Sequence, residues 1–121
     1  MTSIAELLDQ IKSHPDYHKA GMVLCHNGIV RETSRDGRLV SGLRVKADNE
    51  KLLQILEEQK KRAGIIEILV EINADKDLSV GDDVMFLVVA GDIRETVIGV
   101  LTDTLNAVKS TVTHKTEFFK N

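Results

Sequence analysis

The chain has 121 residues, a formal charge of −3, 42% hydrophobic and 29% charged side chains, 3% aromatics and no tryptophan. That length supports one hydrophobic core and not two, so a single domain over residues 1–121 is expected. An acidic chain this poor in aromatics lacks the basic field and the stacking platforms of nucleic-acid binders, and its longest apolar run, Val84 to Ala90, is far short of the roughly 20 residues that span a bilayer. The lone Cys25 cannot close an internal disulfide, and the first residues form neither a basic nor an apolar leader. A cytoplasmic protein with no nucleic-acid or membrane partner is expected.

Ser3-Ile4-Ala5-Glu6 has the form of a capping box, and Ile4, Leu7, Leu8 and Ile11 share one helical face before His14-Pro15 stops the segment. Met22 to Arg31 reads as a strand. Leu39 to Lys46 reads as a second, with Leu39, Leu43 and Val45 on one face. Asp36-Gly37 supplies a turn between them, which predicts that the two strands pair as a hairpin. Asp48 or Asn49 can cap a helix running to Arg62, with Leu52, Ile55, Leu56 and Ala63 on its apolar positions and Gly64 at its end. Its i,i+4 charge pairs, Glu57 to Lys61 and Glu58 to Arg62, are worth only about 0.3–0.5 kcal/mol each and need no functional explanation. Ile66, Ile68, Val70 and Ile72 alternate with Glu67 and Glu71 as a half-buried strand. Val84 to Ala90 is apolar on both faces and is expected at the centre of its sheet. Val80-Gly81-Asp82-Asp83 turns the chain into it. Asp92, with Glu95 three residues on, resembles a capping box for a helix to about Lys109, with Val97, Leu101, Leu105 and Val108 as its buried stripe. Ser110 to Asn121 reads as irregular or extended. The order α-β-β-α-β-β-α predicts an α+β fold, a mixed or antiparallel sheet with helices packed on it.

Four cations close otherwise apolar elements: Arg31 after Gly28-Ile29-Val30, Arg94 in the first turn of the last helix, and Lys109 and Lys115 around Ser110-Thr111-Val112-Thr113-His114. Together they suggest a site for a negatively charged small molecule. A guanidinium beside the free N–H groups of a helix start can grip phosphate, although a surface ion pair with Glu95 or Asp92 explains Arg94 equally simply. Arg31 is either a binding residue on a rigid scaffold or an edge charge that discourages aggregation. Lys109 suits a helix C-terminus for electrostatic reasons alone. Its functional alternative is proton transfer or a transient covalent adduct with a carbonyl. Lys115 could approach the same site. His14, His18, His26 and His114 show no metal-ligand spacing with Cys25, and Cys25, inside an apolar strand, is expected to be an inert core thiol.

In order and spacing, Gly28-Ile29-Val30-Arg31, the helix after Asp48, Leu78-Ser79-Val80-Gly81-Asp82, Arg94, and Lys109 through Lys115-Thr116-Glu117 resemble the large, catalytic subunit of molybdopterin synthase, from about Gly21 to Phe119. The resemblance implies a two-layer α/β hammerhead-like domain and sulfur transfer in molybdenum cofactor biosynthesis, with no cofactor of its own. The sulfur would come from a small ubiquitin-like carrier subunit whose C-terminal Gly-Gly ends as a thiocarboxylate. Two sulfurs would enter cyclic pyranopterin monophosphate to form the molybdopterin dithiolene. The resemblance further implies a homodimer at the core of a heterotetramer. Arg31 and Arg94 would then hold the substrate, and Lys109 and Lys115 would assist the chemistry as acid, base or nucleophile. The sequence departs from the family pattern in three places: Ile93 stands where the family has histidine, the segment between the two lysines is one residue shorter and lacks its Pro and Trp, and the chain stops at Asn121 without the longer tail. The first two of these departures favour a second reading, a non-catalytic module on the same fold that binds the carrier or a pterin. A third is a generic anion-binding regulatory domain.

Overall fold

A computed structural model describes residues 1–121. In chain order the elements are α1 (Ile4–Lys12), β1 (Met22–Ile29), β2 (Val40–Ala47), α2 (Asn49–Lys60), β3 (Ile65–Ile72), β4 (Asp77–Ser79), β5 (Asp83–Gly91), α3 (Arg94–Ala107), a π-helical turn (Val108–Val112) and β6 (Thr113–Phe119). The strands form two three-stranded sheets, β1-β5-β3 and β4-β2-β6, and every pairing is antiparallel. The fold is therefore α+β, with helices packed on two small sheets.

Local chemistry accounts for most boundaries. The Ser3 hydroxyl accepts the Glu6 N–H at 3.1 Å and starts α1, which buries Leu7 and Ile11 against Phe86, Val88 and Ala90 on one face of the first sheet. The Asp48 carboxylate accepts the Lys51 N–H at 3.2 Å and starts α2. Beyond α2, Gly64 turns the chain at φ +86°, a conformation that costs glycine little. On the other face of the first sheet, Leu87 and Val89 pack with Ile68 and with Val97 and Val100 of α3. β5 lies between β1 and β3, and Met85 to Gly91 are all buried. That burial on both faces explains its uninterrupted apolar run.

Several expectations are overturned. β1 and β2 do not form a hairpin: β1 pairs with β5, and β2 pairs with β4 and β6. The turn signal is genuine, since Gly37 has φ +86° and Thr33 bridges Leu39, but irregularities at Gly28/Ile29 and Val40/Gly42 lead the two arms into different sheets. The second irregularity also reverses the face of Leu39, which is 51% exposed while Val40 is buried. α3 is capped not by Asp92 but by Ile93, without a side-chain hydrogen bond, and the Asp92 carboxylate instead accepts the adjacent Ile93 N–H at 2.7 Å. Cys25 is not a core thiol: it is exposed on β1, an edge strand, and partial burial still pushes its thiol upward, away from the reactive thiolate. The segment from Ser110, expected as irregular or extended, completes a π turn and is then extended as β6, which pairs with β2 from Val40 to Ala47.

Candidate functional site

The ends of β1, β3 and β5 that lie away from the start of α3 meet β2 and β6 across a cleft of about 560 Å³. Its apolar walls include Leu43 and Val45 of β2, Ile72 of β3, and Val84 and Met85 of β5. Five residues that are cationic or can become so stand around it: His26 from β1, Arg35 from the loop before β2, Lys109 from the π turn, and His114 and Lys115 from β6. No carboxylate lines this space. A second lobe of about 340 Å³ is more polar and carries Arg31, Thr33, Ser34 and Glu117. The lobes share Ile29, Arg35, Leu43 and Lys115, so they form one groove.

The π turn sets the direction of Lys109. Val108 and Val112, four residues apart, are both fully buried and pack with Met85, and the Val112 carbonyl accepts the Asp48 N–H at 2.9 Å. Anchored at both ends, the turn leaves Lys109 exposed at the cleft and paired with no carboxylate. Single π turns are frequent at functional sites, and this one ends the last helical segment and leads directly into β6. Lys115 lies opposite Val45 in the β2–β6 register and likewise has no ion-pair partner. Arg31 donates from Nε to the Thr33 carbonyl at 2.8 Å, which fixes its stem beside the second lobe.

Of the four residues singled out in the sequence, Lys109, Lys115 and Arg31 line this one groove. Arg94 does not: it is 75% exposed and its guanidinium lies 3.7 Å from the Glu95 carboxylate. A helical rise of 1.5 Å per residue puts it roughly 22 Å from Lys109 along the same helical segment. In the sequence, His26 and His114 are weighed only as metal ligands, and Arg35 is not singled out; the structure places all three at the cleft. His26 had a usable signal, because strand alternation places it with Met22 and Leu24 on the buried face of β1, where a histidine interrupts an apolar pattern. Arg35 sits in a loop without periodicity and gave none.

His26 is the most perturbed group in the cleft. Its Nε2 is shielded from solvent and has no hydrogen-bond partner. Burial, and after it the charge of Lys109, push the imidazole below its ordinary value, so the ring favours the neutral form. An added Cβ at Gly28 would stand 3.5 Å from Nε2, so glycine keeps the space beside that nitrogen free of a side chain. In the loop between β1 and β2, the Asp36 carboxyl is held low, first by the Ser34 hydroxyl and then by the Arg38 N–H. Those contacts brace the turn that carries Arg35. No three His, Cys, Asp or Glu side chains converge as a metal site, and no helix is long and apolar enough to cross a membrane.

Two antiparallel sheets with helices packed on them and a cation-rich cleft between them define the class of this α+β protein. The architecture matches solved structures of known proteins: molybdopterin synthase from Staphylococcus aureus, with TM-score 0.73 and 23% identity over 85% of this chain and 77% of that one; molybdopterin cofactor biosynthesis protein E from Burkholderia multivorans, with TM-score 0.77 and 18% identity over 98% and 82%; and the complex of subunits 1 and 2 of molybdopterin-converting factor from Helicobacter pylori, with TM-score 0.74 and 17% identity over 99% and 81%. None of the curated proteins is similar enough in sequence to match. The family model described as MoaE protein matches residues 1–111, and the chain belongs to that family. Membership gives it a role in molybdenum cofactor biosynthesis.

Proposed function

We propose that this chain is a catalytic subunit of molybdopterin synthase, a sulfurtransferase acting as one domain. It receives the C-terminal Gly-Gly thiocarboxylate of a small ubiquitin-like sulfur carrier and passes the sulfur to cyclic pyranopterin monophosphate, in two rounds, to build the dithiolene. The observation that supports this most directly is a continuous groove in which Lys109, Lys115, Arg31 and Arg35 stand without ion-pair partners. Cations held together in the free protein repel one another, and a bound anion relieves that cost. Both reactants are anionic. The lobe at Lys109, with apolar walls and no carboxylate, suits a narrow glycine tail with one terminal charge, and the lobe at Arg31 suits a phosphate. Lys109 then acts on the thiocarboxylate as acid, base or nucleophile, with Lys115 between the two lobes. A small partner subunit accords with the two-subunit Helicobacter pylori complex on the same fold.

Arg94 fits this reading only through a second copy of the chain. At roughly 22 Å from Lys109 along one helix it cannot touch the same small molecule within one protomer, so the substrate role assigned to it requires a homodimer in which one copy's Arg94 enters its partner's groove. The complete assembly is then two large and two small subunits, working in the cytoplasm.

Reconstitution tests the proposal. Purified chain, thiocarboxylated carrier and cyclic pyranopterin monophosphate are mixed, and molybdopterin is followed as its fluorescent oxidised derivative. Product is expected. A specific feature favours the second reading: Ile93, which replaces the family histidine, is 55% exposed and offers no proton. Carrier binding with no product would replace the synthase by a non-catalytic carrier- or pterin-binding module.

A further inference from the structure

His26 has no role in the reading above, yet it is the cleft's one side chain whose polar atom is both shielded from water and unpaired. An orphaned buried nitrogen costs on the order of 1–3 kcal/mol, and such groups call for an explanation. The charged or titratable groups that line the cleft with it are Lys109 from the π turn, whose charge acts on the imidazole, His114 and Lys115 from β6, and Arg35 from the loop. The neighbouring walls from β2, β3 and β5 are apolar. Protonating His26 in the empty cleft would add one more positive charge beside Lys109 with no carboxylate to balance it. A guest carrying negative charge reverses that balance, because an anion within about 4–6 Å favours the imidazolium.

We propose that His26 binds the anionic end of the carrier tail through Nε2, becoming an imidazolium as the tail enters, so that loading of the cleft draws a proton into the protein. The proposal rests on the sulfur-carrier reading and adds to it a tail-binding residue and a proton linkage. The tail is favoured over the phosphate because His26 shares its lobe with Lys109, placed above at the thiocarboxylate, and neither lines the lobe of Arg31, placed above at the phosphate. Gly28 puts no side chain beside Nε2, where a Cβ would stand in ordinary contact at 3.5 Å. The bond formed is a charge-assisted N–H to carboxylate or thiocarboxylate contact, and the proton comes from solvent. Affinity for the carrier should therefore rise as pH falls, and level off once His26 is protonated in the free protein as well.

Titration calorimetry at pH 7 tests this with the whole chain and the carrier in its stable carboxylate form, in two buffers of different ionisation enthalpy. Uptake of up to about one proton per cleft is expected with the intact carrier. None is expected with a carrier lacking its last two glycines. His26→Gln, which keeps a neutral polar side chain, should abolish the uptake and weaken binding roughly tenfold. Nitrogen-15 NMR of the wild-type imidazole gives a readout that does not depend on any variant: the His26 ring should change from a neutral tautomer to the imidazolium pattern when the carrier is added. Carrier binding without proton uptake, or with a ring that stays neutral, would overturn the role of His26 and leave the sulfur-carrier reading standing. Uptake driven by inorganic phosphate but not by the tail would overturn the tail assignment. Absence of carrier binding would overturn both readings together.

Discussion

The two ends of α3 carry cations in opposite circumstances. At the start, Arg94 projects into solvent beside Glu95 from a helix whose N-cap, Ile93, provides no side-chain hydrogen bond. At the finish, Lys109 belongs to a π turn pinned by the fully buried Val108 and Val112, and it stands at a cleft with no carboxylate in reach. A basic side chain with an exposed counter-ion next to it is already satisfied, and such pairs contribute about 0–1 kcal/mol. A basic side chain aimed by buried neighbours into a cavity of like charge is held in an unfavourable field that a guest can relieve. The contrast lies in the support given to each cation, not in the residue type.

The largest effect should come from the supported end. Lys109→Ala is expected to reduce molybdopterin formation by roughly two orders of magnitude or more, the scale on which positioned acid–base and electrostatic groups act. Because Lys109 is exposed and unpaired, circular dichroism and thermal melting should show an unchanged fold. Activity close to wild type would remove this lysine from the mechanism. Arg94→Ala should also lose activity, but by a route that mixing can reveal. If each groove takes Arg94 from one copy and Lys109 from the other, equal mixing of the two inactive variants after subunit exchange should restore about a quarter of wild-type activity, since half the dimers are mixed and each has one intact site. No recovery despite confirmed exchange would exclude Arg94 from the partner's groove and with it the substrate role assigned to it.

The next effect concerns the support itself. Val112→Ala removes two buried methyl groups beside Val108 and Met85 and should destabilise the chain by roughly 2 kcal/mol. It should also lower turnover, because the π turn that aims Lys109 loses one of its anchors, while carrier binding through the rest of the groove persists. Denaturant unfolding gives the first quantity and steady-state assay the second. A loss of stability with no loss of turnover would show that Lys109 finds its position without the turn.

The same contrast explains what the sequence disclosed. Ser3 and Asp48 act through contacts one turn away, and both cap helices as their spacing indicates. Val84 to Ala90 forms the central strand because burial on both faces demands a continuous apolar run. The Asp36-Gly37 turn was legible as a turn, but the two bulges that send β1 and β2 to different sheets depend on partners far along the chain. Lys109, Lys115 and Arg31 stood out as cations ending apolar elements. Their convergence on one groove, and the presence of His26 and Arg35 there, follow from how the two sheets face each other, which no local pattern encodes. The separation of Arg94 from Lys109 was available without any structure, since one unbroken helix between two residues fixes their distance.

The smallest effect addresses the unsupported end of α3. Ile93 occupies the N-cap with extended backbone angles, φ −127° and ψ 153°, and its side chain cannot accept a backbone N–H. Serine at that position can bond the N–H of the second or third helical residue, and a good cap in place of an aliphatic one is worth about 1 kcal/mol. Ile93 is 55% exposed in the single chain, so little burial is lost. In dilute protein, Ile93→Ser should raise the unfolding free energy by about 0.5–1 kcal/mol. If α3 begins at a contact between two copies, as delivery of Arg94 to a partner's groove requires, that gain should shrink as protein concentration rises, because the isoleucine then has apolar area to bury that serine lacks. A gain independent of concentration would leave the start of α3 as a solvated surface, and the two ends of the helix would then differ in function as completely as they differ in support.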